Sequence, residues 1–343
     1  MPRVDDAARV LSGPASTKSE IGRLVGPELI EVERVFRDSL ASPLSIVDEI
    51  GSFIAEGGGK RIRPTLHLLS TKLCGYDGPH AVLMATVLEF IHSATLIHDD
   101  IIDQATTRRG LQSVNSRWGN DVTVLFGDYL FAKAMQLALR AESIPIMDRL
   151  AEVTLSMTEG EMLQTRYAGR LDLSVDEYLD LVQRKTAGLF SCCCDLAAML
   201  AGVGPDRQSA LHGFGSELGM AFQIVDDLLD LTGDSRTMGK PAASDLREGK
   251  ATLAVIELLR SGGREAAEGR ELAERLMGDG PALEPSAVAR LTELLAETGA
   301  IDRARGRAER HARSAASCLD IFDDSPARRA LGVLPELVLT RDR

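Results

Sequence analysis

Apolar residues recur every three or four positions along almost the whole chain, as in "TVLEFIHSATLIH" (86–98) and "FGSELGMAFQIV" (214–225), and no run alternates strictly. A period near 3.6 marks helices that bury one face, whereas a half-buried strand would alternate. The pattern predicts helices starting near Pro27, Pro43, Pro64, Pro79, Val114, Ser143, Ser174 and Pro205, each beside a residue suited to a first turn or cap. Gly75, Gly169 and Gly204 are placed to end helices, since glycine takes the left-handed conformation at little cost. "GDGPALEPS" (278–286) reads as an exposed connector between late helices, and no solenoid repeat is present.

Composition agrees with an all-α fold. The 343 residues are 44% hydrophobic but only 4% aromatic, and the abundant Leu, Ala, Glu and Arg lose little on entering a helix. We expect a disordered lead-in over 1–25, where "MPRVDDAARVLSGPASTKSE" is acidic where a signal peptide would be basic, followed by a single domain over 26–343. A net charge of −12 argues against nucleic acid or an anionic membrane surface as the main partner. No run of about 18 apolar residues is evident, so no transmembrane segment and a cytoplasmic location are expected. Cys192, Cys193 and Cys194 are adjacent, and neighbours on a helix point about 100° apart, so they read as small buried residues and not as a metal site.

Against this background the aspartates stand out. "LIHDDIID" ends an apolar helix with Asp99, Asp100 and Asp103, and "QIVDDLLD" repeats the arrangement with Asp226, Asp227 and Asp230. Three like charges within one turn repel each other and lie unfavourably at the negative end of a helix dipole, so a cation is expected to offset them. A solvated acidic helix end would explain one copy; two copies, each after an apolar helix, point to paired carboxylate sets. Hard carboxylate oxygens suit Mg²⁺, whose shell is usually completed by water and substrate phosphate. There is no zinc spacing and no calcium loop.

The basic residues fit the same chemistry. "GGGKRIRP" places Lys60, Arg61 and Arg63 directly after three glycines, where backbone N–H groups and cationic side chains can approach an anion, although it is not the nucleotide loop GxxxxGK[ST]. Arg108 and Arg109 follow the first aspartate set, and Lys240 and Lys250 follow the second. His92 lies two turns before Asp99 on the same face, with Thr95 between them. The arrangement suggests two diphosphates, one bridged by Mg²⁺ and one held mainly by Arg and Lys.

These stretches, with "TTRRG", "WGNDVTVLFGDYLF", "KTAGLF", "FQIVDDLLD" and "MGKPAASDLREGKATL", occur in the order of the trans-isoprenyl diphosphate synthases, or polyprenyl synthetases, which the chain resembles from about Val47 to "ETGAIDRARGRAERHA". The resemblance implies an isoprenoid-synthase fold, a helical bundle around a deep central cavity, usually as a homodimer. It also implies head-to-tail condensation of isopentenyl diphosphate with an allylic diphosphate, with about three Mg²⁺ ions per site stabilising the departing diphosphate. By the same resemblance Asp99 and Asp103, with Asp100 assisting, and Asp226 and Asp230 bind metal. Lys60, Arg63, His92 and Arg109 match positions that bind isopentenyl diphosphate. Arg108, Lys185, Thr186, Gln223, Lys240 and Lys250 match positions that hold the allylic diphosphate, and Thr186 and Gln223 are placed to direct oxygen dipoles at a carbocation. Asp227 belongs to the same catalytic motif. One departure is Ala243, where the family often has glycine.

Ala94, five residues before Asp99, lies roughly 7 Å below the metals on a rise of 1.5 Å per residue. Shorter-chain members often carry Phe or Tyr at or next to this level. Alanine is too small to form a floor, which predicts an all-trans product longer than farnesyl diphosphate, of the kind used for quinone tails. A geranylgeranyl diphosphate synthase, with a floor formed around Met135 to Leu139, is the alternative. Two other readings stay open: a class I terpene cyclase, which would not need the Lys60 and Arg63 pocket, and a noncatalytic subunit of a heteromeric synthase, although such subunits typically lose aspartates from one motif.

Overall fold

The computed structural model describes residues 15–108, 111–232, 243–277 and 285–341. They form two compact units. The first contains the chain up to Thr154, Leu189–Gly213 and Leu319–Val333; the second contains Leu155–Gly188, Phe214–Cys318 and the chain from Leu334.

The first unit holds α1 (Ala15–Leu40), α2 (Ser45–Glu56), α3 (Ile62–Leu73), α4 (His80–Ile102), α5 (Val114–Trp118) and α6 (Asn120–Ala138). Its central element is α4, which packs against α1, α3 and α6. An unbroken buried run from Met84 to Ile91 shows that α4 is enclosed on several sides and not amphipathic. Residues 15–25, expected to belong to a disordered lead-in, are helical, and the start expected near Pro27 moves back to Ala15. The reason is a stripe that runs straight through the proline: Ile21, Val25, Leu29, Val32, Phe36 and Leu40 are all buried. Their burial offsets the one helical hydrogen bond that Pro27 cannot donate.

A two-residue antiparallel pairing, β1 (Thr107–Arg108) with β2 (Leu111–Gln112), follows α4. Two residues are too few to display alternation, so the sequence pattern gave no sign of it. Two helices, His80–Ile102 and Asn120–Ala141, are long and apolar enough to pass as membrane spans by length and composition alone. The apolar window of the first is 67% buried, as befits the central helix of a packed unit.

The next helices, α7 (Ile144–Tyr167), α9 (Gly188–Ala201) and α10 (Pro205–Thr232), contribute residues to both units. Wholly in the second unit are α8 (Val175–Val182), a π-helical turn (Gln183–Ala187), α11 (Ser244–Arg247), α12 (Leu253–Arg260), α13 (Gly263–Met277), α14 (Pro285–Glu297) and α15 (Ala300–Cys318); α16 (Pro326–Leu339) closes the chain's helices. Ser174 caps α8 reciprocally: its hydroxyl accepts from Glu177 N–H at 3.1 Å, and Glu177 accepts from Ser174 N–H at 2.8 Å. On α15 every buried residue is alanine, Ala300, Ala304, Ala308, Ala312 and Ala315, which lets α12 and α14 pack close against it.

The expected helix starts at Pro64, Pro79, Val114, Ser143, Ser174 and Pro205 fall within two residues of the observed ones, and α2 begins at Ser45, two residues after Pro43. Gly75 and Gly169 take left-handed φ values of 72° and 77° after α3 and α7, but α9 is ended by Gly202 (φ 60°) and not by Gly204. Cys192, Cys193 and Cys194 are buried free thiols on α9, and burial pushes Cys192 up to about 12. The connector expected over 278–286 falls mostly outside the described residues.

Candidate active site

In the first unit the acidic set closes α4. Asp103 is the C-cap, its N–H donating to Asp99 O at 2.8 Å, so Asp99 and Asp103 stand one turn apart on one face. Asp100 points about 100° away from that face. It is buried, and one carboxylate oxygen accepts from Arg108 Nε at 2.6 Å. Arg108, matched on sequence to the allylic diphosphate, therefore reaches back from β1 to the acidic set. Asn115 of α5 donates to the Asp100 carbonyl at 3.2 Å and ties the hairpin to the helix end.

The three cations of "GGGKRIRP" diverge. Lys60 is exposed, and Arg63 lies with its guanidinium 5.0 Å over the Phe190 ring. Arg61 is turned into the unit, paired with Glu33 of α1 and Glu89 of α4. Beside it opens a cleft walled by Phe53, Ile54, Leu96, Ile97, Leu111 and Val114, with the Arg61–Glu89 and Arg108–Asp100 pairs in its lining. His92 is half-buried on α4, and Ala94 is only 2% exposed. Ala94 shares a face with His98, whose Nε2 lies 3.2 Å from the Val124 carbonyl of α6. A Cβ on Gly127 of α6 would sit 2.2 Å from that same nitrogen, so only glycine permits the contact.

In the second unit the acids of α10 divide the work. Asp226 has a side chain 51% exposed and accepts from Arg341 Nη2 at 3.3 Å; Arg341 in turn lies 4.3 Å over the Phe222 ring. Burial draws the Arg341 guanidinium below its usual range, while Asp226 acts in the opposite sense. Asp227 faces inward and accepts from Tyr178 Oη at 2.6 Å and from Gln223 Nε2 at 2.7 Å. Burial raises its carboxyl to about 7, although both hydrogen bonds favour the charged form. Asp230 accepts from the Ser244 hydroxyl and, at 3.1 Å, from Asp245 N–H, pinning the start of α11 to the end of α10. Its remaining lone pairs keep the carboxylate capable of further coordination.

Thr186 and Gln223, paired on sequence by resemblance alone, are in contact: the Thr186 hydroxyl donates to Gln223 Oε1 at 2.8 Å. Thr186 and Lys185 lie on the π-helical turn, a rare geometry that adds one residue to a helical turn and recurs at functional sites. Gly160 of α7 makes room for it, since a Cβ there would lie 3.0 Å from Arg184 Cβ. Lys185 Nζ reaches Glu161 at 2.5 Å and Gln164 at 3.1 Å, and Lys250 pairs with Glu248 at 2.6 Å. Arg109 and Lys240 lie outside the described residues. Sequence reasoning missed Tyr178, Arg341 and the acids Glu33 and Glu89, none of which stands beside its partner in the chain.

Ala243 carries a structural consequence of its own. It takes a left-handed conformation (φ 58°, ψ 35°) as the N-cap of α11, and its N–H donates to Asp230 O at 2.8 Å. An L side chain pays about 1 kcal/mol or more there and glycine does not. Ala243→Gly is expected to raise stability by roughly 0.5–1 kcal/mol despite the added freedom of the unfolded chain. Denaturant unfolding at equilibrium checks it, and a variant less stable than the parent would refute the strain.

Among the described residues no three carboxylate or imidazole groups close into a ready-made metal cage. Mg²⁺ takes one or two carboxylates and leaves its other positions to water and phosphate oxygens. Asp99 with Asp103, and Asp226 with Asp230, supply such hard oxygen pairs.

An all-α chain with two DDxxD helix ends, each beside cationic side chains, defines the class of enzymes that handle isoprenoid diphosphates with divalent metal. A polyprenyl synthetase profile matches residues 45–294, and the chain belongs to that family. It is 34% identical over 324 residues to the octaprenyl diphosphate synthase of Escherichia coli (strain K12), covering 94% of this chain and 99% of that one. The crystal structure of a polyprenyl synthase from Caulobacter crescentus CB15, complexed with calcium and isoprenyl diphosphate, matches with a TM-score of 0.88 and 36% identity over 95% of this chain and 98% of its own. A decaprenyl diphosphate synthase from Rhodobacter capsulatus matches with a TM-score of 0.87 and 35% identity over 95% and 99%. The chain is thus a prenyltransferase with the isoprenoid-synthase fold.

Proposed function

We propose that this chain condenses isopentenyl diphosphate with an allylic diphosphate, head to tail and repeatedly, to give a long all-trans polyprenyl diphosphate. The observation that carries the reading is the pair of acidic helix ends: Asp99 and Asp103 share one face of α4, and Asp226 and Asp230 share one face of α10. Mg²⁺, about three ions by resemblance, supplies Lewis-acid stabilisation of the departing diphosphate when bound. Asp99 and Asp103, with Asp100 assisting, hold it at the first motif, and Asp226 and Asp230 hold it at the second. Lys60, Arg63, His92 and Arg109 bind the isopentenyl diphosphate; Arg108, Lys185, Lys240 and Lys250 hold the allylic partner. Thr186 and Gln223 set fixed dipoles beside the carbon that becomes cationic, where preorganised charge costs no reorganisation. Support for a long product comes from Ala94 and from the relatives' names.

The active species in this proposal is a homodimer in the cytoplasm. Exposed apolar side chains support the homodimer: Val124 and Leu125 on α6, Leu139 just past its end and Ile144 at the start of α7 are from 42% to 84% exposed, as side chains covered by a second copy would be.

The purified chain, given Mg²⁺, farnesyl diphosphate and isopentenyl diphosphate, is expected to yield products of thirty carbons or more by mass spectrometry. Elongation that stops at twenty carbons would favour a geranylgeranyl diphosphate synthase, and no extension of farnesyl diphosphate would refute the long-chain reading. Release of hydrocarbon without consumption of isopentenyl diphosphate would point to a cyclase, and inactivity alone with activity restored by a second chain to a heteromeric subunit.

A further inference from the structure

The motif "GGGKRIRP" contains three cations, and the reading above uses two of them. Arg61 lies between these two and behaves differently. It occupies the N-cap of α3 in a left-handed conformation (φ 42°, ψ 35°) that non-glycine residues rarely adopt. Its side chain is 9% exposed. Both ends of its guanidinium are engaged: Nε and Nη2 meet Glu33 of α1, the latter at 3.0 Å, and Nη1 meets Glu89 of α4. The group also lies 5.4 Å from the centre of the Phe36 ring.

Arginine suits this place and lysine does not, because a planar fork can serve two carboxylates and an aromatic ring at once. Glu89 is only 6% exposed on its side chain, so Arg61 is its buried counter-charge. Glu89 also stands three residues before His92 on α4. The glycine loop is therefore fastened to the helix that carries His92 and Asp99, one turn below His92, and to α1 through Glu33. Gly58, with φ 59°, supplies the turn that brings Arg61 inward.

We propose that Arg61 is a positioning residue: the Glu33–Arg61–Glu89 clamp sets where Lys60 and Arg63 stand relative to His92, and so governs the isopentenyl diphosphate subsite without touching substrate. The assignment rests on the reading of Lys60, Arg63 and His92 given above.

Two measurements on the full-length protein test it: steady-state kinetics with each substrate varied, and calorimetric binding of inorganic diphosphate without metal. Arg61→Gln combined with Glu89→Gln removes the cation and the buried acid together, leaving only the more exposed Glu33 without its counter-charge. This variant is expected to raise KM for isopentenyl diphosphate tenfold or more, to leave KM for the allylic substrate within twofold, and to weaken diphosphate binding in proportion. Arg61→Lys, keeping one ion pair, recovers part of the loss. Glu33→Gln, at the more exposed end of the clamp, shifts the same KM about threefold and serves if the double variant does not fold. A purely structural role would lower the melting temperature and move both KM values together or neither; that result, or unchanged diphosphate affinity in folded Glu33→Gln, overturns the proposal. A parent protein whose diphosphate binding depends on the clamp, as the variants read it, yet which consumes no isopentenyl diphosphate would support the clamp and refute the reaction.

Discussion

Asp99→Asn is expected to lower turnover by roughly 10³-fold. The activity loss follows from the metal's share of leaving-group stabilisation, several kcal/mol, at about 1.4 kcal/mol for each factor of ten. Asparagine keeps the shape and one acceptor oxygen but not the charge. Asp226→Asn should lose activity comparably, and it also gives up its contact with Arg341. Turnover at saturating Mg²⁺ checks both variants. Asp99→Asn activity within tenfold of the parent would remove the first motif from the chemistry.

Ala94→Phe is expected to shorten the product by whole isoprene units. Ala94 is 2% exposed on the face of α4 that also carries His98, one turn nearer the acidic end. At that end the helix pair is already tight, as the contact between His98 and Gly127 shows. A phenyl ring at position 94 has to take space from the hydrocarbon chain or push α6 aside. Overpacking of a filled site typically costs about 1–3 kcal/mol, so the variant should also melt at lower temperature. Product mass and melting curve separate the outcomes. A folded variant with unchanged product length would show that Ala94 does not border the growing chain.

Local features were legible in the sequence because they depend on neighbours. Ser174, expected beside a helix start, caps α8, and each aspartate set stands at the end of its apolar helix. Features set by distant partners were not legible. Tyr178 reaches Asp227 across 49 residues and Arg341 reaches Asp226 across 115, and periodicity within a short window does not encode such pairings. Pro27 misled for a related reason: local propensity reads a break, but burial on both sides of it decides. In "GGGKRIRP" the three cations look alike in one dimension, and only the acids of α1 and α4 distinguish Arg61 from its neighbours.

The bonds among Tyr178, Asp227, Gln223 and Thr186 all run in one direction. Tyr178 and the Gln223 amide both give protons to Asp227, so the Gln223 amide cannot flip without losing a bond, and its carbonyl is left to take the Thr186 proton. The hydroxyl hydrogens of Tyr178 and Thr186 are both committed inward. What Thr186 keeps for a neighbour is its oxygen lone pairs and not its proton, so whatever comes to rest beside it meets a fixed acceptor, favourable to a positive centre and unfavourable to a negative one.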